Sequence, residues 1–270
     1  MEKIVITGTK GFIGKNLLNT LKDDFEILEI NEDLFDNPKW YDEIYFILNR
    51  FEPTTIFHVG ACSDTLETDV NYMMTLNYEF TRRVSEWSKI FDCKLIYSSS
   101  AANYGVNGEY PSNLYGWSKY IAEQYVISNG GIALRYFNVY GPNEDHKGRM
   151  ASVAYQMLQK QKEGQEIKLF PLKPTRDFVY VKDVVSANIY AMNNYMENSG
   201  DYYEVGSGES RPFEDVLNIL KIDYTYHTED VIPQGYQFNT RSNPSSWMFG
   251  WEPEYDLDKG LKDYLGYLNQ

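Results

Sequence analysis

The stretch "KIVITGTKGFIGKNLLNTLK" at residues 3–22 constrains this chain more than any other, because a strand-length apolar run stops at a glycine turn inside which a helical pattern begins. The same alternation continues through "FEILEI", "WYDEIYFILNRF", "TTIFHVG", "VNYMMTLNYEFTRRVSEWSKIF" and "KLIYSSS", then "LYGWSKYIAEQYVI" and "GIALRYFNVYG". Strands alternating with helices indicate βαβ units and an α/β protein built on a parallel sheet. Right-handed crossovers then line up the loops that follow the strands along one sheet edge, where ligands bind. Farther on, "GRMASVAYQMLQKQ", "DVVSANIYAMNNYM", "FEDVLNILK" and "LDKGLKDYLGYL" read as helices between loops bearing Pro and Gly. The expected organisation is a dinucleotide-binding domain over 1–165 and a small mixed C-terminal substrate lobe over 166–270. The chain is expected to cross back to the sheet near 175–200.

The first turn carries the chemistry. Gly8, Gly11 and Gly14 recur at three-residue steps between the first strand and the first helix. Glycine lets the backbone approach a pyrophosphate there, and the helix start offers free N–H groups to the anion. In that position the triplet points to a Rossmann-like doubly wound sheet that binds a dinucleotide. The second strand ends near Asn31, where an NAD site usually places an acid on the ribose hydroxyls. Lys10 lies where a cation meets a 2′-phosphate and tilts the reading toward NADP. Glu32 and Asp33 tilt it toward NAD, and both cofactors stay open.

Composition narrows the partners. A net charge of −14 and a pI near 4.7, with no basic stripe, exclude a nucleic-acid or anionic-membrane surface and leave a small molecule. No apolar run approaches a membrane span, and "MEKIVITGTKG" enters a strand without a signal peptide's regions, so a cytoplasmic protein is expected. Cys62 and Cys93 have no CxxC or histidine partner at ligand spacing, so neither a disulfide nor a metal site is expected. The 24 tyrosines are read as packing and surface aromatics.

Two further features lie on later segments. "KLIYSSS" ends in three serines at the sheet's carboxyl edge, and "NLYGWSKY" sets Tyr115 four residues before Lys119. On a helix those two side chains share a face. An ammonium beside a phenol lowers its pKa by about 1 to 3 units, which makes tyrosine a general base near neutrality.

With the glycine turn, the serine edge and Tyr-x-x-x-Lys in this order, the chain resembles the extended short-chain dehydrogenase/reductases, the NAD-dependent epimerases and dehydratases. Through "IFHVGACSDT", "YMMTLNY", "YSSSAANYG", "RYFNVYGPNEDHKGRMASVAY" and "RDFVYVKDV", it is most similar to those acting on an ADP-heptose at C6. The resemblance implies a redox-neutral epimerisation of a nucleotide-sugar. Tyr115 is then the acid/base, Lys119 binds the nicotinamide ribose and lowers the tyrosine pKa, Ser100 orients the substrate hydroxyl, and Lys147 is a second acid/base. Gly8, Lys10, Gly11, Phe12, Ile13, Gly14, Asn31, Asp33, Leu34, Val59, Gly60, Ala61, Cys62, Ser63, Asn77 and Val139 are implied at the cofactor. Asn138, Arg149, Arg176 and Tyr236 are implied at the substrate. Relatives are oligomers, so a homo-oligomer is the default expectation.

Three departures touch specificity. The span after the second strand is short, Arg149 replaces a small residue after "HKG", and "LFPLKPTRDF" replaces a Gly- and Ser-bearing nucleotide loop, with Pro171 and Pro174 stiffening it. The alternatives are a UDP- or GDP-hexose 4-epimerase, a nucleotide-sugar reductase and a dinucleotide-sensing regulator. Ala101 and Ala102 after Ser100 disfavour a 4,6-dehydratase, which places an Asp-Glu pair there. His58 and His146 are expected to carry no chemistry, His58 being a satisfied core residue.

Overall fold

The structure is a computed structural model that describes residues 1–106, 108–228, 231 and 236–269. It divides into two compact units, one of 1–135 and 185–203 and the other of 136–184 and 204–270.

The first unit begins with β1 (Lys3–Thr7), α1 (Phe12–Leu21), β2 (Glu26–Ile30), α2 (Trp40–Phe51) and β3 (Thr55–His58). Next come α3 (Val70–Met74), α4 (Phe80–Ile90), β4 (Lys94–Ser100), α5 (Leu114–Ser128) and β5 (Ile132–Tyr136). The sheet is completed late in the chain by β10 (Tyr202–Val205), giving the order β10-β5-β4-β3-β1-β2. Pairing is parallel across β2, β1, β3 and β4, with Ile4 opposite both Ile27 and Thr55, and Ile56 opposite Leu95. Strands buried on both faces carry continuous apolar runs, as Ile4-Val5-Ile6 in "KIVIT" and Ile56-Phe57 in "TIFH" do. The core gathers Val5, Ile44, Leu48, Ile56, Trp87, Leu95 and Val126, with Leu34 and Trp40 packed against it.

The chain runs from β1 outward to β2, then back past β1 to β3, so the order reverses between β1 and β3. Ligands bind at such a crevice, outside the carboxyl ends of the strands. The segment read from the sequence as one helix over 70–91 is interrupted by a π turn at Thr75–Glu79 between α3 and α4. A π turn closes i→i+5 hydrogen bonds for a single turn and accommodates one extra residue inside an otherwise α-helical run.

In the second unit β6 (Asn138–Tyr140) is followed by α6 (Val153–Lys162), β7 (Lys168–Leu169), β8 (Thr175–Arg176) and β9 (Phe178–Tyr180). The chain returns through α7 (Val181–Asn193) and the short α8 (Tyr195–Asn198) to β10. It then adds β11 (Arg211–Pro212), α9 (Phe213–Leu220), β12 (Thr225–Tyr226) and α10 (Leu257–Leu268). Three two-stranded pairs result, β6 with β9, β7 with β12 and β8 with β11. The division at 165/166 concerns where cofactor binding gives way to substrate binding and is a proposal. The compact units cut the chain elsewhere, because βα alternation runs on through α6 whereas 136–165 packs with the later segments.

His58 is wholly buried, and its network fixes its charge. Thr7 Oγ1 accepts from the N–H groups of Val59 (3.0 Å) and Gly60 (2.9 Å), so its own proton points to His58 Nδ1 at 2.8 Å. His58 Nε2–H then donates to Thr81 Oγ1 at 2.8 Å, and that hydroxyl donates to the Asn77 carbonyl at 2.7 Å. This leaves no place for a second imidazole proton. Burial, assisted by the charge of Lys119, pushes the His58 pKa down from 6.5 to about 3. The unfolded chain therefore binds a proton between pH 6.5 and 3 that the folded chain refuses. Stability is full above pH 6.5 and falls by up to about 4–5 kcal/mol as pH drops toward 3. Urea unfolding at pH 7, 5 and 4 measures the slope, which a His58→Gln variant loses.

Candidate active site

Gly8 closes β1 with φ +73°, and its N–H donates to the Ile30 carbonyl at 2.8 Å. A Cβ on Gly8 would stand 2.5 Å from the Gly60 Cα of the loop after β3. A Cβ on Gly14 would collide with the Gly8 carbonyl. The two loops of the topological switch therefore touch through backbone alone, and α1 opens with its first N–H groups beside them. That cradle fits a dinucleotide pyrophosphate, as the glycine spacing predicts. Phe12 is buried and Ile13 half-buried at the helix start. Val59, Gly60, Ala61 and Cys62 are half-buried and Ser63 exposed in the facing loop.

Asn77 holds that loop. Its Oδ1 accepts from the Cys62 N–H at 2.7 Å, and its Nδ2 lies 3.0 Å from the Cys62 carbonyl and 2.9 Å from Ser118 Oγ. Expected at the cofactor, Asn77 sits fully buried behind the loop and spends its amide on protein. Its contribution is the loop's shape.

At the end of β2, Asn31 Nδ2 donates to Thr9 Oγ1 at 2.9 Å, and Asn31 Oδ1 accepts from the Lys10 N–H at 3.1 Å. The Lys10 ammonium is paired with Asp33 at 3.0 Å, an exposed pair that lowers the Asp33 pKa through its hydrogen bond. Leu34 is half-buried and packs one side against the apolar core. Thr9 Oγ1 donates to Glu29 at 2.5 Å, a carboxylate that the sequence reading did not single out.

The reacting groups stand at the carboxyl edge of β4. Ser100 caps the short turn that follows, its Oγ accepting from the Ala102 N–H at 3.1 Å. Helix α5 starts at Asn113, whose Oδ1 accepts from the Gly116 N–H at 2.8 Å. This cap sets Tyr115 and Lys119 on one face of α5. Burial raises the Tyr115 pKa, while a hydrogen bond from Ser100 acts in the lowering direction. Tyr115 keeps some exposure to solvent, whereas Lys119 is only 3% exposed. The Lys119 ammonium donates to the Ser98 carbonyl at 2.5 Å and lies 4.7 Å from the centre of the Tyr97 ring. Burial pushes its pKa down to about 7.

In this geometry the hydrogen bond from Ser100 acts to lower the Tyr115 pKa, and the Lys119 nitrogen is aimed at the Ser98 carbonyl.

In the second unit, Asn138 opens β6 with an exposed side chain and Val139 is half-buried beside it. Lys147 lies in a 3₁₀ segment, Asp145–Met150, broken at Gly148 where φ is +52°. Burial lowers the Lys147 pKa, opposed by the charge of Glu144. Glu144, absent from the sequence reading, is fully buried and accepts from Ser152 Oγ at 2.7 Å and the Gly141 N–H at 3.2 Å. Arg149 is exposed, and its carbonyl accepts from Gln156 at 3.2 Å.

Arg176 and Asp177, neighbours in sequence, are not paired with each other. The Asp177 carboxylate accepts from Ser207 Oγ (2.8 Å), Gly208 N–H (3.1 Å), Ser242 N–H (2.8 Å) and Ser242 Oγ (2.7 Å). Arg176 donates to the Thr175 carbonyl at 2.9 Å and lies against the rings of Tyr236 (5.3 Å) and Phe213 (5.5 Å). Among the described residues no carboxylate pairs with it, and burial lowers its pKa. Tyr236 is packed edge-on to Phe170 at 5.1 Å and Phe238 at 5.3 Å.

A doubly wound sheet with a glycine cradle at its switch point, and Ser, Tyr and Lys at its edge, defines an enzyme of the short-chain dehydrogenase/reductase type. Residues 4–206 match the NAD dependent epimerase/dehydratase family, and the chain belongs to that family. It is 35% identical to an ADP-L-glycero-D-manno-heptose-6-epimerase of Brachyspira hyodysenteriae, across 99% of this chain and 98% of the relative. The Helicobacter pylori ADP-L-glycero-D-manno-heptose-6-epimerase structure superposes with a TM-score of 0.86 at 28% identity, covering 99% and 96% of the two chains. The Thermotoga maritima UDP-glucose 4-epimerase solved with UDP-glucose shares the fold at a TM-score of 0.85 and 23% identity, covering 99% and 98%. Among the described residues no helix is long and apolar enough to cross a membrane.

Proposed function

We propose that this protein epimerises an ADP-heptose at C6 by transient oxidation, with no net change in its nicotinamide cofactor. The observation that carries the reading is Tyr115, hydrogen-bonded by Ser100 and flanked by buried Lys119, in a chain matched over its length by a heptose epimerase. The nicotinamide, when bound, supplies acceptance and return of one hydride. Ser100 holds the oxygen on the reacting carbon, and Tyr115 as phenolate removes its proton. The ammonium form of Lys119 orients the ribose and stabilises negative charge nearby. Once a carbonyl intermediate has formed, a proton must be delivered to its oxygen as the hydride returns to the opposite face, and Lys147, whose pKa burial lowers, suits that exchange. Arg176, a planar fork with no carboxylate partner among the described residues, suits a diphosphate. Arg149 and Tyr236 remain proposed substrate contacts, and a homo-oligomer remains a proposal.

The finer cofactor reading changes sign. Lys10, the residue that favoured NADP, is engaged by Asp33, with Glu29 at the same strand end. A 2′-phosphate there meets carboxylates of its own sign, which supports NAD. Asp33→Asn is expected to raise kcat/KM with NADP relative to NAD by about tenfold, by freeing Lys10 and removing one repulsion. Initial rates with the two cofactors measure it.

Proton NMR of ADP-D-glycero-D-manno-heptose incubated with the protein and catalytic NAD tests the substrate. Conversion to the C6 epimer without net absorbance gain at 340 nm is expected. No conversion by protein that binds NAD would move the assignment to UDP- and GDP-hexoses, with Arg149 and the Pro171 loop as the altered recognition elements.

A further inference from the structure

Helix α5 carries a third polar side chain on the face that bears Tyr115 and Lys119. Glu123 lies one turn beyond Lys119 and has no exposed surface. Its carboxylate is held from every side. Arg135 of β5 donates through Nη2 to Oε1 at 2.5 Å and through Nε to Oε2 at 2.8 Å. Ser99 Oγ of β4 donates at 2.6 Å and Asn103 Nδ2 at 2.9 Å, both to Oε2. Arg135 is itself enclosed between the rings of Tyr202 at 3.6 Å and Tyr104 at 4.7 Å.

So elaborate a buried ion pair is not needed for stability, since an apolar pair of the same volume is often as stable or more so. Its position gives it another use. We propose that Glu123 is a positioning residue for the reaction: its clamped carboxylate holds Lys119 in the charged form that the site requires.

Among the described residues, the titratable groups that act on Lys119 are Glu123 one turn on along α5, Tyr97 of β4 beneath the ammonium, neutral His58 of β3 and the Cys62 thiol of the loop after β3. Of these, Glu123 carries the formal negative charge that favours the ammonium, against the burial that disfavours it. Arg135, Ser99 and Asn103 keep the carboxylate from swinging onto Lys119 as a direct salt bridge, leaving the ammonium free to serve the reaction. This inference rests on Lys119 acting in the site as proposed above.

The test uses Glu123→Gln in two measurements. In lysine-labelled protein, with the Nζ signal assigned through Lys119→Met, the titration of Lys119 is expected to move from near pH 7 to near pH 6, about one unit for a lost neighbouring charge. In a pH series of kcat, the variant is expected to match wild type below pH 6 and to be about tenfold slower above pH 7, because only the charged fraction of Lys119 has changed. A Lys119 titration that stays in place, or a loss of activity equal at every pH, would overturn the proposal in favour of a merely structural ion pair. Should the single variant not fold, Glu123→Gln/Arg135→Gln leaves no unpaired buried charge and is judged by the same two measurements, with shifts in the same direction that the simultaneous loss of the Arg135 charge makes smaller. The NMR titration needs no turnover, so it decides the role of Glu123 even if the substrate assignment fails.

Discussion

Tyr115→Phe is expected to lower kcat by about a thousandfold, within the range that a positioned acid/base contributes, while NAD still binds. The ring that packs at the start of α5 stays, so folding is unaffected; only the phenol oxygen and its hydrogen bond from Ser100 are lost. The wild-type pH profile carries a matching signature. Turnover needs a phenolate on Tyr115, whose pKa burial raises above 10, together with an ammonium on Lys119, which titrates near 7. Below pH 7 the lysine is charged and the phenolate fraction grows tenfold per unit, so log kcat rises with pH. Above 7 the falling ammonium fraction cancels the rising phenolate fraction, and the profile is flat until the tyrosine titrates. Steady-state kinetics from pH 5.5 to 9 check both the slope and the plateau. Retained turnover in Tyr115→Phe with NAD bound would favour a dinucleotide sensor over an enzyme.

Lys119→Met is expected to lose at least a hundredfold in turnover and, in the same protein, to gain stability. The unfolded chain keeps this lysine charged up to pH 10.5, while the folded chain gives up the proton near 7. Wild-type stability therefore rises with pH between those values, and the cost of the buried charge is fully present at and below pH 7. The shift corresponds to at most about 4–5 kcal/mol. Loss of the hydrogen bond to Ser98 and of the contact with Tyr97 returns part of it, about 1–2 kcal/mol. Thermal unfolding at pH 7 should show the variant several degrees more stable, with the gain vanishing toward pH 10. A variant less stable at pH 7 would mean that the lysine's contacts outweigh its burial.

The sheet was legible because its strands are apolar on both faces and its first turn repeats glycine at a fixed step. Those are local signals, and β1, α1 and β3 fall where they place them. Ser100 and Tyr115 were legible as candidates because each lies at an element's end, and Lys119 because it follows Tyr115 by four residues. The π turn that contains Asn77 is not read from the sequence, because the helical pattern before it and the one after it read as a single run. The Glu123–Arg135 pair also escaped notice, since its partners are twelve residues apart and only the fold brings Ser99 and Asn103 to them. The charge state of Lys119 is a property of burial, which spacing does not report. Arg176 and Asp177 are neighbours in sequence, yet alternate side chains point to opposite sides of an extended segment. Asp177 accordingly serves the loops at Ser207 and Ser242, while Arg176 lies among aromatic rings.

The central claim is that one hydrogen leaves the reacting carbon and returns to it. The most direct measurement uses ADP-heptose carrying deuterium at C6, turned over in ordinary water with catalytic NAD, and reads the label in the product by mass spectrometry and proton NMR. Full retention of deuterium in the C6 epimer is the predicted result. Replacement of the label by solvent hydrogen would show that the carbon is deprotonated and reprotonated, and would contradict epimerisation by transient oxidation.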